Sequence, residues 1–379
     1  MIMNGRTLLG LLLLILYGSV AAAHKPSDSY LSLDLTAGTV IEGRWDIALR
    51  DLDYALGLDS DQDNAITWGE LRTRHPAIAA YALARLSLTA GGGRCQIDPG
   101  PQQVEHHSDG AYTVLNFTAR CATTGDTVEL DYRLLFDLDP SHRGLIKISY
   151  PDTVQTAVLS PDRTTLSLSM TDVSGWQQFA DYWREGVWHI WIGFDHILFL
   201  LALLLPAVVQ WRNGRWQAGV SFRGALTQVA AIVTAFTVAH SITLSMAVLG
   251  WVSLPGRWVE TAIAATVILA ALNNLYPLVQ RRQWLLAFVL GLIHGFGFAS
   301  VLVDLGLPGG TLALALFGFN LGVECGQLAI VAVFLPLAFI LRSSWFYRTV
   351  AVTAGSVVVA LIATLWLLER GLQWQSGWL

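Results

Sequence analysis

Beyond residue 186 the chain consists largely of apolar runs too long for the core of a soluble domain, and they leave few alternatives to a bundle of membrane helices. The runs fall at about 187–209, 224–249, 258–279, 284–303, 311–340 and 346–368, near or above the ~20 residues needed to cross bilayer hydrocarbon. Five carboxylates occur in this whole stretch: Asp195, Glu260, Asp304, Glu324 and Glu369. At 13% charged residues the chain lies far below the roughly one quarter of a soluble domain, which excludes an ordinary cytosolic enzyme. Loop charge orients the spans. With the first run entered from outside, the inner loops carry Arg212, Arg215, Arg223, Arg281, Arg282, Arg342 and Arg348, against Arg257 in the outer loops between spans. That asymmetry follows the positive-inside rule and puts the N-terminal region and a tail at 371–379 on the outer side of the membrane.

The front of the chain is of another kind. Residues 1–23 carry Arg6, an apolar run from Leu8 to Tyr17 and a small-residue stretch ending Ala21-Ala22-Ala23, the pattern of a cleaved signal peptide. Cleavage would expose His24, whose amine and imidazole could share a divalent metal, although a frayed terminus explains the same residues. Residues 24–185 hold 23 acids and 13 bases. The only lysines in the chain are Lys25 and Lys147, so no nucleic-acid partner is expected. Tyr30–Leu35, Tyr112–Ala119, Thr127–Phe136, Leu145–Tyr150 and Thr164–Ser169 alternate apolar and polar residues between turn-forming clusters, as half-buried strands of a sandwich or barrel do. Cys95 and Cys121 lie 26 apart in this exported region and are expected to form a disulfide in an oxidising compartment. His106, His107 and His142 read as scattered surface residues in loops.

Residues 51–86 look helical and contain a twelve-residue acidic loop, Asp59 to Glu70. Asp59, Asp61, Asp63, the Ala65 carbonyl, Thr67 and Glu70 occupy the ligand positions of an EF-hand-like calcium loop, with Ile66 apolar at position 8. Position 6 is Asn64 in place of glycine, and asparagine tolerates the required left-handed backbone better than most residues. A solvated acidic turn is the plainer reading; a calcium site here would brace the fold.

The membrane half concentrates its chemistry. His189, Asp195 and His196 lie in the first run, His240 in the second, His294 in the fourth, and Asn320 and Glu324 in the fifth. Ionisable residues are costly in hydrocarbon and mark functional sites there. Imidazole with carboxylate suits divalent nickel, cobalt, zinc, manganese or iron, whereas the shortage of thiols argues against copper(I) or iron–sulfur chemistry. A straight helix puts His189 and His196 on one face but about 10 Å apart. They share an ion only if the span is irregular near Gly193; otherwise His189 is an outer receiving ligand above a deeper site of Asp195 and His196. Gly291, Gly295 and Gly297 would let helices approach closely around His294.

His189, five residues, then Asp195-His196, together with Ala239-His240-Ser241 and His294-Gly295, resembles the signature of the HupE/UreJ family of nickel and cobalt permeases. The likeness covers the six-span half. It implies uptake of Ni2+ or Co2+ for a metallochaperone or metalloenzyme maturation system, with His189, Asp195 and His196 as selectivity and transport residues and His294 as the later histidine. Where the family's later element continues with a further histidine and an acid, this chain has Phe298, Ala299 and Ser300, and His240 and Glu324 are the candidates for that role. Two other readings use the same residues. One is a membrane-embedded metal-dependent hydrolase with Glu324 as water-activating base; the other is a calcium-binding sensor domain on a membrane anchor. The expected architecture is multi-domain: a signal peptide (1–23), a β-rich, sandwich-like exported domain with an EF-hand-like helical insertion (24–185), an all-α six-helix transmembrane bundle (186–370) and an outer tail, set in the inner membrane of a double-membraned cell.

Overall fold

The computed structural model describes residues 27–35, 39–63, 65–107, 110–122, 127–150, 154–169, 175–304, 307 and 309–372. The signal peptide, His24, Asn64 and most of the tail lie outside the described residues. All five expected strands are present. β1 (Asp28–Asp34) pairs antiparallel with β2 (Val40–Ala48) and parallel with β8 (Arg143–Ser149), at the centre of a six-stranded sheet ordered β5-β6-β2-β1-β8-β9. Its other members are β5 (Gln96–His107), β6 (Gly110–Arg120) and β9 (Val154–Leu159). A second sheet, β10-β7-β3-β4, combines β3 (Leu86–Ala90), β4 (Gly93–Arg94), β7 (Thr127–Tyr132) and β10 (Thr165–Ser169). The third expected strand stops at Tyr132 and not at Phe136, because the chain turns at Leu135 with φ 59°.

Period-two alternation sends Leu31, Leu33, Trp45 and Phe117 of the first sheet into one core with Leu88, Leu130, Tyr132 and Leu166 of the second. The expected helical stretch is two helices, α1 (Leu49–Leu56) and α2 (Trp68–Leu83), and α2 adds Leu71, Ile78 and Ala82 to the same core. Cys95 and Cys121 are joined by a disulfide.

His142 is not a surface loop residue: it is 0% exposed. Its Nδ1 meets the Ser27 hydroxyl at 2.5 Å and its Nε2 the Tyr132 hydroxyl at 2.7 Å. A lone histidine in a polar loop carries no hydrophobic signature that would have announced this burial. Burial brings the imidazole down to about 3 from its ordinary 6.5, so the fold holds it neutral while an unfolded chain would protonate it. The stability it contributes is therefore complete above about pH 6.5 and is lost progressively as pH falls towards about 3, by at most about 1.4 kcal/mol per pH unit. Pulse proteolysis of the full chain is expected to show the β domain losing stability between about pH 7 and about pH 5, with His142→Gln flattening that slope. An unchanged slope in the variant would refute the assignment.

The rest is helical: α3 (Gly175–Ile192), α4 (Phe194–Leu204), α5 (Phe222–Val248), α6 (Gly256–Leu275), α7 (Gln283–His294), α8 (Ala299–Asp304), α9 (Gly309–Leu341) and α10 (Gly355–Leu372), the last preceded by a π-helical Phe346–Ala354. Among the described residues four helices are long and apolar enough to cross a membrane, Phe222–Val248, Gly256–Leu275, Gly309–Leu341 and Phe346–Leu372, and the pair α3 and α4, bent by 72°, makes a fifth candidate span. The six-span count is thus not met by six long helices. The fourth expected run is short: α7 passes at Gly295 into a 3-10 turn to Phe298 before α8 begins.

The first run also departs from a single rod. α3 begins at Gly175, passes without interruption across the expected boundary at 185/186, and ends before Gly193. After α4 the chain forms a hairpin, Val209–Arg212 with Arg215–Ala218, turned by Asn213 and Gly214 at φ 51° and 73°. Asn-Gly is the strongest short hairpin signal, and the span reading passed over it. Finally, the outer face of the six-stranded sheet is covered too: Tyr30, Tyr112, Leu145 and Val158 pack in one cluster with Tyr182, Ile190, Leu302 and Phe319. The β domain therefore sits on the helices that carry the histidines.

Candidate metal centre

The bend at Gly193 brings His189 back over His196. Their ring centroids are 4.6 Å apart, less than half the separation a straight helix would impose, so the span is irregular at Gly193 and His189 lies beside His196. A Cβ at Gly193 would meet His189 O and His196 Nδ1 at 2.8 Å each and Asp195 Oδ1 at 3.2 Å, so the turn has room for no side chain. Asp195 then starts α4, accepting from its neighbour's backbone N–H at 2.8 Å. One donor nitrogen from each of His189, His196 and His240 lies within 4.8 Å of the others. The His294 ring centroid is 5.2 Å from that of His196. Phe298 and Phe319 stack on each other and flank His189.

Hydrogen-bond partners determine which ring nitrogen of each histidine is free. His196 Nδ1 lies 2.9 Å from the Asp195 carboxylate, an acceptor, so Nδ1 carries the proton and Nε2 the lone pair. His240 Nδ1 lies 3.2 Å from Asn320 Oδ1, while the Asn320 amide donates to Leu316 O; the carbonyl end only accepts, and Nε2 again is left with the lone pair. Thr266 spends its hydroxyl proton on Ile263 O at 2.6 Å and so accepts from His294 Nε2 at 2.8 Å, which leaves the lone pair on Nδ1. The three nitrogens so defined, His196 Nε2, His240 Nε2 and His294 Nδ1, are buried and have no hydrogen-bond partner among the described residues. Buried polar atoms are rarely left so, and a carboxylate, an amide and a hydroxyl each orienting an imidazole is the outer arrangement of a metal site.

Two expectations come out differently in detail. Asp195 touches His196 and stands behind it. Glu324 accepts from the Thr234 hydroxyl at 2.9 Å and is not among the residues whose donor atoms converge. Thr266 was not singled out from the sequence, since a threonine in an apolar helix carries no pattern of its own.

Packing brings α3 against α9 through glycines. Gly318, Gly322 and Gly326 recur every four residues on α9 and face Phe179, Trp183 and Val187 of α3, while Gly186 faces back on Phe319. Small residues at this spacing let membrane helices approach at backbone distance, and here they hold His189 beside Phe319.

In the β domain, Asp59, Asp61 and Glu70 offer oxygens within 4.8 Å of one another, whereas Asp63 accepts from the Ala65 N–H. Glu70 receives four hydrogen bonds, from the backbone and hydroxyl of both Ser60 and Thr67. The Thr67 backbone bond leads in holding its carboxyl down to about 2. With Thr67 it also forms the capping box that starts α2. A third group, Asp46, Glu105 and His107, was missed in the sequence; Arg44 bridges both carboxylates, and His107, read as a surface residue, is tucked against Asp46 at 3.0 Å.

A family model described as HupE / UreJ protein matches residues 165–370. The matched stretch begins in β10, covers more than half of the chain and takes in all four clustered histidines. No curated protein matches the chain.

Proposed function

The chain belongs to the HupE / UreJ protein family, and from that premise we propose that it is a permease for a divalent transition-metal ion, Ni2+ or Co2+, in the inner membrane of a double-membraned cell. The family and the apolar helices make it a multi-pass membrane protein. The observation that carries the functional reading is the set of three buried imidazole nitrogens with lone pairs and no partner. Nitrogen donors of this kind favour late first-row ions, Zn2+ included. In this reading His189 receives the ion from the outer side and His196, His240 and His294 replace its water in turn. Asp195 supplies a compensating negative charge, and Glu324 waits one helix turn beyond Asn320.

A broken helix with donors at the break suits a path with alternating access better than a closed site. The two halves of the first span meet at Gly193 in that way, and α7 is interrupted just after His294. We read α7 with its 3-10 extension as the sixth crossing, with the β domain and C-terminus on the periplasmic side. The loop at 59–70 is read as a calcium brace. The hydrolase reading has Glu324 as its base, and that carboxylate accepts from Thr234 and is not in the group of converging histidine donors.

The test is cation uptake into proteoliposomes holding the purified protein, comparing Ni2+, Co2+, Zn2+ and Mn2+, with His196→Ala as control. Uptake of Ni2+ or Co2+ is expected, falling to the level of protein-free vesicles in the variant. Stoichiometric binding without flux would overturn the permease reading.

A further inference from the structure

Above the histidines, α3 carries Asp181, Glu185 and His189 at intervals of four residues. Each step rises about 6 Å and turns by about 40°, so the three lie along one slowly winding face. Asp181 is 8% exposed, and the Glu185 side chain is also largely covered. Each carboxylate is met by an arginine of the β domain. Arg163 ion-pairs with Asp181, and Arg143, at the start of β8, brings Nε to 3.8 Å from Glu185 Oε2.

The second pair is built unusually. Arg143 is 7% exposed, and its Nη1 donates to the carbonyls of Pro140, Ser141 and His142 at 3.3, 3.0 and 2.8 Å. Its Nε, facing Glu185, is buried without a hydrogen bond among the described residues. The guanidinium is thus held by the β domain at one end and left at a purely electrostatic distance from the carboxylate at the other. Gln178 and Tyr182 of the same helix bond Thr156 of β9 at 2.6 and 3.3 Å, which keeps the arginines in register with the acids.

We propose that Asp181 and Glu185 are the outer receiving steps on the cation's way to His189, and that Arg143 and Arg163 are tethered cations that occupy those steps until a metal ion displaces them. This rests on the permease reading. A buried carboxylate without a counter-ion is costly, so an empty path needs a resident positive charge. A guanidinium on the β domain supplies one at a step about one turn (Glu185) or two turns (Asp181) above His189, without blocking the histidines. The arriving divalent ion takes over the carboxylate, and the arginine is repelled towards the β domain, Arg143 keeping its bonds to the carbonyls of Pro140, Ser141 and His142.

The pairs make a prediction of sign that a merely structural clamp does not. In proteoliposome uptake of Co2+, Asp181→Asn and Glu185→Gln are expected to raise KM, roughly threefold to tenfold for the loss of one steering charge. Arg143→Gln and Arg163→Gln are expected to lower it, and Arg143→Lys to stay near wild type. Shifts in the same direction from both members of a pair, or no shift in KM, would overturn the proposal. The rate of Co2+ association with the detergent-purified full chain, read from its visible absorption, separates this failure from that of the permease reading. Opposite signs in that rate uphold the receiving steps even if no flux is found; binding that does not depend on His196 overturns both.

Discussion

Replacing Gly193 by valine is expected to bring cation uptake down to the level of vesicles without protein, while the chain still inserts and purifies as wild type does. A Cβ there would lie 2.8 Å from His189 O and from His196 Nδ1, too close for either to stay where it is. His189 O accepts from the Gly193 N–H at 3.0 Å, and Gly193 O accepts from Ile197 N–H at 3.0 Å; these two bonds tie the end of α3 to the start of α4. The side chain can be accommodated only by opening the turn, which carries His189 away from His196 and pushes His196 off Asp195. The separate loss of one imidazole leaves three donors in place; the loss of the bend displaces His189 and His196 together and leaves His240 and His294, held by α5 and α7, without the other half of the set. Equilibrium binding of Co2+ to the purified variant checks the cause, because a dispersed set loses the tight site as well as the flux. Wild-type uptake by Gly193→Val would show that the convergence of His189 and His196 is irrelevant to transport.

Gly322→Val is expected to produce the largest loss of stability. Its Cβ would meet Trp183 O at 2.0 Å and Gly186 Cα at 3.0 Å, and both belong to backbone inside a helix, which cannot rotate aside as a side chain can. Overpacking of an ordinary core costs about 1–3 kcal/mol; here α3 and α9 must separate, so the cost lies at or beyond the upper end. Gly310→Val is the matched control, since a Cβ at Gly310 meets nothing within 4 Å. Thermal unfolding of the two variants in detergent measures the difference. Equal midpoints would mean that the glycine face of α9 does not bind α3.

Much of the fold was legible because periodicity leaves a direct trace. The alternation of Leu31 and Leu33 with Tyr30 and Ser32 marks β1, and the long apolar runs mark the helices. Burial on both sides of the first sheet was not legible: Tyr30 and Tyr112 alternate correctly for one buried face, and no local pattern says that helices cover the other. His142 escaped for a related reason, being held by Ser27, Tyr132 and the strands around them and by no property of its own neighbours. The early end of α7 was not legible either, because Gly295 and Gly297 offer the tight turn that stops it and hydropathy does not register a helix that stops inside an apolar run.

By itself the sequence determined that this chain lies in a membrane with a β-rich domain ahead of it, and it marked His189, Asp195, His196, His240 and His294 as candidates for one site, because ionisable residues among apolar runs are costly without partners. It could not determine which atoms meet. Donor convergence depends on a 72° bend and on which ring nitrogen Asn320 and Thr266 engage; the arginine that faces each acid of α3 comes from another domain. These are relations between helices far apart in the chain, and only tertiary packing sets them.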